Sequence, residues 1–260
     1  MGKTHITVAN LTMAYGNSII QRDMDFAINR GDVFIVMGGS GCGKSTLLRH
    51  LTGLKQPAKG EIFYQDLSFW NASPKVRRRL MMKMGVSYQS GALFSSMTLA
   101  ENIALPLSAF TPLSRSEIKE IVSLKLALVG LAGFEGYYPA EISGGMQKRA
   151  GLARAMALDP DILFFDEPSS GLDPISSRLL DDLILHLRDN LGATIVVVTH
   201  ELASIFAIGN NSVFLDAESK AIIAQGDPKQ LLAECDVPKV RRFLTRGDCG
   251  EGKEFQRHGQ

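Results

Sequence analysis

Long apolar runs are missing from this sequence. A membrane-spanning helix needs roughly 20 mainly apolar residues, whereas the longest apolar runs here are Val33–Met37, Ile162–Phe165 and Ile195–Val198. The first ten residues alternate polar and apolar types and lack the apolar core of a signal peptide. We therefore expect a soluble, cytoplasmic chain, which another protein would have to hold at a membrane if it works there.

Cysteine and net charge are also scarce. Three cysteines are too few for a disulfide scaffold and indicate a reducing compartment. The 28 lysines and arginines nearly balance the 27 aspartates and glutamates, which argues against a whole-protein basic field that wraps duplex nucleic acid. At 260 residues and 45% hydrophobic content, the chain is predicted to be globular, with one large domain or one domain carrying inserted lobes.

Short β-branched runs recur between longer amphipathic segments. Three nearly all-apolar runs are typical of parallel strands covered by helices on both faces: Val33–Met37, Ile162–Asp166 and Thr194–Val198. The remaining runs alternate more, lie closer together and predict a smaller antiparallel lobe: Ile6–Ala9, Ile62–Tyr64, Gly85–Tyr88, Val213–Leu215 and Ala221–Ala224. Residues 92–157 instead predict a helical lobe, in which Ser114 and Glu117 form a capping-box pattern.

The strongest local motif is G-x-x-x-x-G-K-S/T, which occupies Gly38, Gly39, Ser40, Gly41, Cys42, Gly43, Lys44, Ser45 and Thr46. An apolar strand precedes it and a helical segment follows, as in loops whose backbone N–H groups surround a nucleotide phosphate. We expect Lys44 to contact the β- and γ-phosphates and Ser45 to ligate Mg²⁺. Cys42 is interpreted as a small filler residue rather than a redox switch.

Two acids end the strand Ile162–Asp166. A carboxylate that follows a buried strand beside a phosphate loop can hold Mg²⁺, directly or through water, and Asp166 fits that role. Glu167 can then orient and polarise the attacking water. The combination predicts a nucleotide hydrolase.

The segment Ile142–Gln147 narrows this prediction, because it resembles the signature motif of ABC-type ATPases. Four further positions match that family in order: Tyr15 as the aromatic that stacks on adenine, Gln89 of the glutamine loop, Asp173 of the D-loop and His200 of the switch. The D-loop reads S-G-L-D, with Gly171 in place of the usual alanine. The resemblance extends over about Ile6 to Ala233.

The resemblance implies the fold and the active residues. The expected fold is an α/β P-loop core with an antiparallel β lobe and an inserted helical signature lobe, over residues 1–246. It implies ATP and Mg²⁺ as cofactors, with Ser45, Gln89 and Asp166 around the metal. The implied catalytic residues are Glu167, His200, Lys44 and Gln89. In a head-to-tail homodimer, the signature would close on the partner's nucleotide through Ser143, Gly144, Gly145 and Gln147.

A narrower similarity concerns Gln89–Phe94, together with Met97, Thr98, Glu101 and Asn102, and the segment Pro238–Leu244. These stretches resemble the ATPases of maintenance-of-lipid-asymmetry and related MCE-type transporters. That implies phospholipid transport through a separate integral permease, an MCE-type lipid-binding partner, and a peripheral position on the cytoplasmic face of the inner membrane. The alternatives are an ABC ATPase for another substrate and a soluble ABC-type ATPase acting on nucleic acid. A single phosphate loop and the absence of a heptad run count against the latter.

Several features leave two interpretations open. Ala92, Leu93 and Phe94 either pack the helical lobe or line a groove for a short permease helix. The basic run over residues 75–83 either is a solvated helix face, which we favour, or contacts anionic lipid head groups. Pro238–Leu244 predicts a short amphipathic helix. The tail over residues 247–260 either bridges the dimer or is a disordered end.

Overall fold

The computed structural model describes residues 3–89 and 91–247. Its smaller sheet is antiparallel and contains β1 (Thr4–Tyr15), β2 (Ser18–Asn29), β4 (Lys59–Tyr64) and β5 (Leu67–Ser68) in the order β2-β1-β4-β5. Tyr15 pairs with Ser18 across the turn between β1 and β2, which aligns a long two-stranded ladder. The strand β2 was not predicted from the sequence, because polar and charged residues alternate with its buried ones.

The larger sheet has six strands: β3 (Val33–Gly38), β6 (Met84–Ser87), β7 (Ile162–Asp166), β8 (Thr194–Val198), β9 (Asn211–Asp216) and β10 (Ala221–Gln225). Their order is β10-β9-β3-β8-β7-β6, and only β10 runs antiparallel to its neighbour. Three runs expected in the antiparallel lobe, those that form β6, β9 and β10, belong instead to this sheet. That prediction was wrong because the partner of a strand is set by contacts distant in sequence.

The helical lobe is present where the sequence predicted it. Residues 92–157, all of which the structure describes, contain α3 (Leu99–Phe110), α4 (Arg115–Leu128) and α5 (Gly144–Ala155), a 3₁₀ turn over Pro139–Glu141, and no strand. Ser114 and Glu117 close the predicted capping box at the start of α4, with the Ser114 amide 2.7 Å from a carboxylate oxygen of Glu117. The lobe packs its apolar residues on one face of the larger sheet.

The other helices flank the two sheets: α1 (Lys44–Leu51), α2 (Pro74–Met81), α6 (Pro174–Leu191), α7 (Leu202–Ile208), α8 (Pro228–Glu234) and α9 (Pro238–Leu244). One buried cluster joins the antiparallel sheet, α1 and the near face of the larger sheet. A second cluster joins the far face to α3–α7 and α9. Because β3 is buried at every position, it carries the phosphate loop on a rigid base.

The predicted helix over Pro238–Leu244 is confirmed. Val240 and Leu244 are buried, and the ring of Phe243 lies 5.1 Å from that of Phe214 in an edge-on contact. Lys239 reaches back to the carboxylates of Asp216 and Glu218. The predictions for the tail beyond Gly247 concern residues outside the described part of the chain. Of the helices over the described residues, none is long and apolar enough to cross a bilayer.

Candidate functional site

The phosphate loop joins the end of β3 to the start of α1. Gly38 has φ +144°, and a Cβ there would lie 2.3 Å from the backbone oxygen of Leu215. Gly43 has φ +99°, and its Cβ would lie 2.7 Å from a methyl group of Ile20. A side chain at either position would displace the loop, so the backbone shape requires glycine.

The start of α1 is left open for an anion. Gly43 is the N-cap residue and contributes no capping side chain, so the free N–H groups and dipole of the first turn are available to a phosphate. The ammonium of Lys44 donates to the backbone oxygens of Gly38, at 2.9 Å, and Gly39, at 3.0 Å. A single cation therefore lies across the loop at the predicted position.

Ser45 and Asp166 meet at the mouth of the loop. The Ser45 hydroxyl donates to Oδ1 of Asp166 over 3.1 Å, although the two residues are 121 positions apart in sequence. Burial raises the pKa of Asp166, and the Ser45 hydrogen bond opposes that rise. A hydroxyl and a carboxylate at this separation are the oxygen donors that Mg²⁺ prefers, so the predicted pair fits that ion.

Gln89 lies at the same edge of the sheet. Ser87 at the end of β6 pairs with Phe165, the residue before Asp166. Gln89 is two positions further on and is exposed. The fold therefore brings the glutamine to the sheet edge that holds Ser45 and Asp166, the two predicted Mg²⁺ donors.

Glu167 and His200 form the pair that sequence reasoning predicted to be catalytic. Nδ1 of His200 lies 2.8 Å from Oε1 of Glu167. The other carboxylate oxygen of Glu167 is buried and has no hydrogen-bond partner in the described residues. Glu167 has a positive φ of 51°, and its amide donates to the backbone oxygen of Val198 over 2.8 Å. A strained backbone thus holds an acid with one free oxygen beside the phosphate loop.

Tyr15 ends β1 beside the phosphate loop and is 47% exposed. Its hydroxyl accepts a 3.3 Å hydrogen bond from Arg49 of α1, while the ammonium of Lys55 lies 2.9 Å from the ring centroid. Hydrogen bonds from Thr46 and Arg49 lower the pKa of the phenol. The ring is therefore held next to the loop and remains partly exposed, as the predicted stacking on adenine requires.

The signature residues begin α5. Ser143 is exposed and caps the helix, with its hydroxyl accepting from the Met146 amide at 3.3 Å. Gly144 and Gly145 form the first turn. Gln147 is placed differently from the others, because its amide donates to the backbone oxygens of Pro139, at 2.8 Å, and Ile142, at 3.3 Å. Its side chain therefore holds the preceding 3₁₀ turn, which the sequence prediction of a nucleotide contact did not anticipate.

Asp173 of the D-loop caps α6. Its Oδ1 accepts from the amides of Ile175 and Ser176, both at 3.0 Å. Hydrogen bonding from Ser176 lowers the pKa of the carboxyl, which keeps the cap charged. This contact fixes where the exposed D-loop turns into the helix.

Sequence reasoning missed Lys148. This half-buried lysine of α5 donates to the backbone oxygen of Glu167 over 3.3 Å and to that of Ser170 at a short distance. It joins the helix that carries the predicted signature residues to the segment that carries Glu167. In sequence, a lysine on a helix indicates a solvated side chain, so only the packing of the two elements reveals this contact.

A second missed group lies behind the D-loop. Ser204 of α7 donates to Oδ2 of Asp181 over 2.9 Å, and its oxygen lies 3.5 Å from the hydroxyl of Ser169. Asp181 is 4% exposed, and its Oδ1 has no partner in the described residues. Burial raises the pKa of this carboxyl to about 6. The group connects α6, the α7 helix that follows His200, and the segment after Glu167.

The residues 92–94 divide between the two predicted roles. Leu93 packs against the core of the helical lobe. Ala92 lines a groove of about 410 Å³ between that lobe and the larger sheet, together with Met82, Met84 and Phe110. Phe94 is exposed, with the guanidinium of Arg154 4.7 Å from its ring centroid.

The fold and these residues define a P-loop nucleotide hydrolase. The family model described as ABC transporter matches residues 21–170. The ATP-binding protein MlaF of the intermembrane phospholipid transport system of Haemophilus influenzae is 38% identical over 244 residues, which are 94% of this chain and 91% of MlaF. The chain therefore belongs to the ABC transporter family.

Other relatives agree on the family. The probable ribonucleotide transport ATP-binding protein mkl of Mycobacterium tuberculosis is 43% identical over 240 residues, which are 92% of this chain and only 66% of mkl. Among solved structures, cbiO1 of Clostridium perfringens, part of the cbiONQ transporter complex, has a TM-score of 0.81 at 27% identity and covers 94% of this chain and 97% of its own. The ATP-binding cassette MJ0796, a dimer with ADP and Pi, has a TM-score of 0.77 at 27% identity over 85% and 98% of the two chains.

Proposed function

We propose that this chain hydrolyses ATP and that hydrolysis energises phospholipid transport through a separate membrane permease. The observation that carries the proposal is the 2.8 Å contact between Glu167 and His200 next to the Ser45–Asp166 pair. This contact beside the phosphate loop supports a role for Glu167 in activating a water that attacks a bound phosphate. The relationship to MlaF supports the phospholipid cargo.

In the proposed mechanism, Glu167 orients the attacking water and accepts its proton. His200 holds one carboxylate oxygen of Glu167, and its ring is 55% exposed. Lys44 contributes a fixed positive charge to the β- and γ-phosphates. Ser45, Asp166 and Gln89 would hold Mg²⁺, which neutralises phosphate charge when it is bound.

The functional unit in this proposal is a homodimer. The exposed Ser143 and the first turn of α5 form a helix start without an acidic residue, a local geometry that suits an anion. Closing that helix start on the γ-phosphate of the opposite subunit gives two composite sites. The solved cassette MJ0796 is a dimer, which supports this arrangement. In this dimer Gln147 has a structural role, because its amide is already engaged within its own subunit.

The groove beside the helical lobe suits the permease. Its wall combines the apolar side chains of Met82, Met84 and Phe110 with the cations of Arg78 and Arg154. The strand β6, which lines the groove, leads directly to Gln89. A permease helix in the groove would therefore sense the state of the nucleotide site through that strand, on the cytoplasmic face of the inner membrane.

The relatives carry two different cargo descriptions, phospholipid for MlaF and ribonucleotide for mkl, and the test must separate them. The full-length chain is co-expressed with an integral membrane permease from the same organism, and the complex is purified and reconstituted. Phospholipid and an MCE-domain protein that co-purify, with ATP turnover that lipid stimulates and ribonucleotide does not, would support the proposal. Stimulation by ribonucleotides alone would overturn the lipid assignment and leave the ATPase intact.

A further inference from the structure

A cavity of about 200 Å³ opens between the antiparallel sheet and the edge of the larger sheet, remote from the phosphate loop. Its walls are mainly apolar and include Tyr64, Leu67, Leu80, Met84 and Ile162. Met84 begins β6 and Ile162 begins β7, whereas the nucleotide site lies where these parallel strands end. The cavity is therefore separate from the nucleotide site, although Met84 lines both this cavity and the groove beside the helical lobe.

The buried histidine His5 contributes a hydrogen-bond donor to this cavity. The side chain lines the cavity and is 3% exposed, and its Nδ1 lies 2.7 Å from the Thr194 hydroxyl. The same hydroxyl oxygen accepts from the Gly31 amide over 3.1 Å. Among the described residues, the hydroxyl proton has no acceptor other than Nδ1 of His5. The hydroxyl proton therefore goes to Nδ1, which leaves the proton of the neutral ring on Nε2.

Nε2 of His5 has no partner within residues 3–89 and 91–247. Burial, aided by the charge of Arg30, lowers the pKa of the ring to about 4, so it is neutral at physiological pH. The ring thus offers one N–H to a molecule that enters the cavity. A ligand that presents an acceptor there would form a hydrogen bond with this N–H.

The rim of the cavity is positively charged. Arg79 is exposed, and the described part of the chain gives its guanidinium no carboxylate partner. Lys83 is also at the rim and pairs with Asp161 over 2.9 Å. Two cations against one carboxylate leave an excess of positive charge beside an apolar interior.

We propose that this cavity binds a small organic acid, consisting of one apolar ring or short chain that carries a single carboxylate. The apolar walls would hold the body of the molecule. The carboxylate would accept from Nε2 of His5 and lie close to Arg79. The volume admits about ten non-hydrogen atoms, whereas a nucleotide or a phospholipid is far larger.

Benzoate is a suitable probe, and benzamide is its neutral control of equal shape. Each is titrated into the isotope-labelled full-length chain in the presence of saturating ATP and Mg²⁺, and the amide resonances of Gln65, Lys83 and Asp161 are followed by NMR. We expect saturable shifts with benzoate at a dissociation constant of about 1 mM. Benzamide should bind several times more weakly. Absent shifts up to about 20 mM, or equal affinity for the two probes, would overturn the proposal.

Two substitutions test the residues that carry the argument. Arg79→Ala, on the surface of α2, should weaken benzoate about two- to fivefold and leave benzamide unchanged. Lys75→Ala on the same helix does not line the cavity and should change neither affinity. His5→Phe keeps the ring without the donor and should weaken benzoate about tenfold. If His5→Phe does not fold, the proposal remains testable through Arg79→Ala. Equal benzoate affinities of the Arg79→Ala and Lys75→Ala variants would refute the proposed site.

Discussion

Asp181→Asn tests the buried carboxylate behind the D-loop. In the wild type, Oδ2 accepts from Ser204 at 2.9 Å, while Oδ1 is buried without a partner among the described residues. Asparagine keeps an acceptor for Ser204 and removes the charge. The comparison therefore isolates the cost of ionising a carboxyl in this environment.

The sign follows from the shifted pKa. The folded-state pKa of Asp181 is about 6, raised by burial above its ordinary value of 3.8. The folded protein therefore holds this proton more tightly than the unfolded chain, and stability falls as the pH rises from about 4 to about 6. The full cost is present above about pH 6 and amounts to at most about 3 kcal/mol.

The measurement is the free energy of unfolding by urea for both proteins at several pH values. Any constant effect of the new amide cancels when the difference between the proteins is followed across pH. Relative to the wild type, the asparagine variant should gain about 2 kcal/mol between about pH 4.5 and pH 8. Asp182→Asn, at the neighbouring exposed position, serves as the control and should show a much smaller change. A pH-independent difference for Asp181→Asn would refute the assigned ionisation.

Three further substitutions test the nucleotide site. Lys44→Ala should lower ATP affinity about tenfold or more, because the ammonium neutralises charge already present on bound ATP; unchanged affinity by calorimetry with Mg²⁺ would contradict this. Lys148→Met should lower turnover about tenfold while ATP affinity changes less than about twofold, since the lysine positions Glu167 without touching nucleotide; a parallel loss of affinity would point to general unfolding. Ser143→Arg should abolish hydrolysis and spare ATP binding to the isolated subunit. A mixed dimer with Ser143→Arg in one chain and Lys44→Ala in the other places both substitutions in one composite site, leaves the other site intact and should keep some activity. If the mixed dimer is inactive, an ATP-binding measurement on the single intact site distinguishes two sites that must act together from a wrong dimer geometry.

The phosphate loop, β7, β8 and α9 could be predicted from the sequence because local rules determine them. A glycine pattern between a strand and a helix has few alternatives to phosphate binding, and a nearly all-apolar five-residue run is typical of a buried strand. The turn residue Pro238 and the spacing of Val240, Phe243 and Leu244 defined α9 in the same way.

Sheet membership and several side-chain roles could not be predicted. The strands β6, β9 and β10 have sequences suited to either sheet, and their partners are distant along the chain. Gln147 and Lys148 are adjacent, yet one contacts its own turn and the other contacts the segment after β7. Those assignments depend on how the helical lobe packs against the core, which no local pattern encodes.

Glu167→Gln is the measurement that tests the central claim most directly. The amide keeps the shape of the side chain but cannot accept a proton from water. ATP binding should be retained, the ATP-bound dimer should accumulate, and steady-state turnover should fall by about 10²–10⁴-fold. Turnover within about threefold of the wild type would contradict the assignment of Glu167 as the catalytic base.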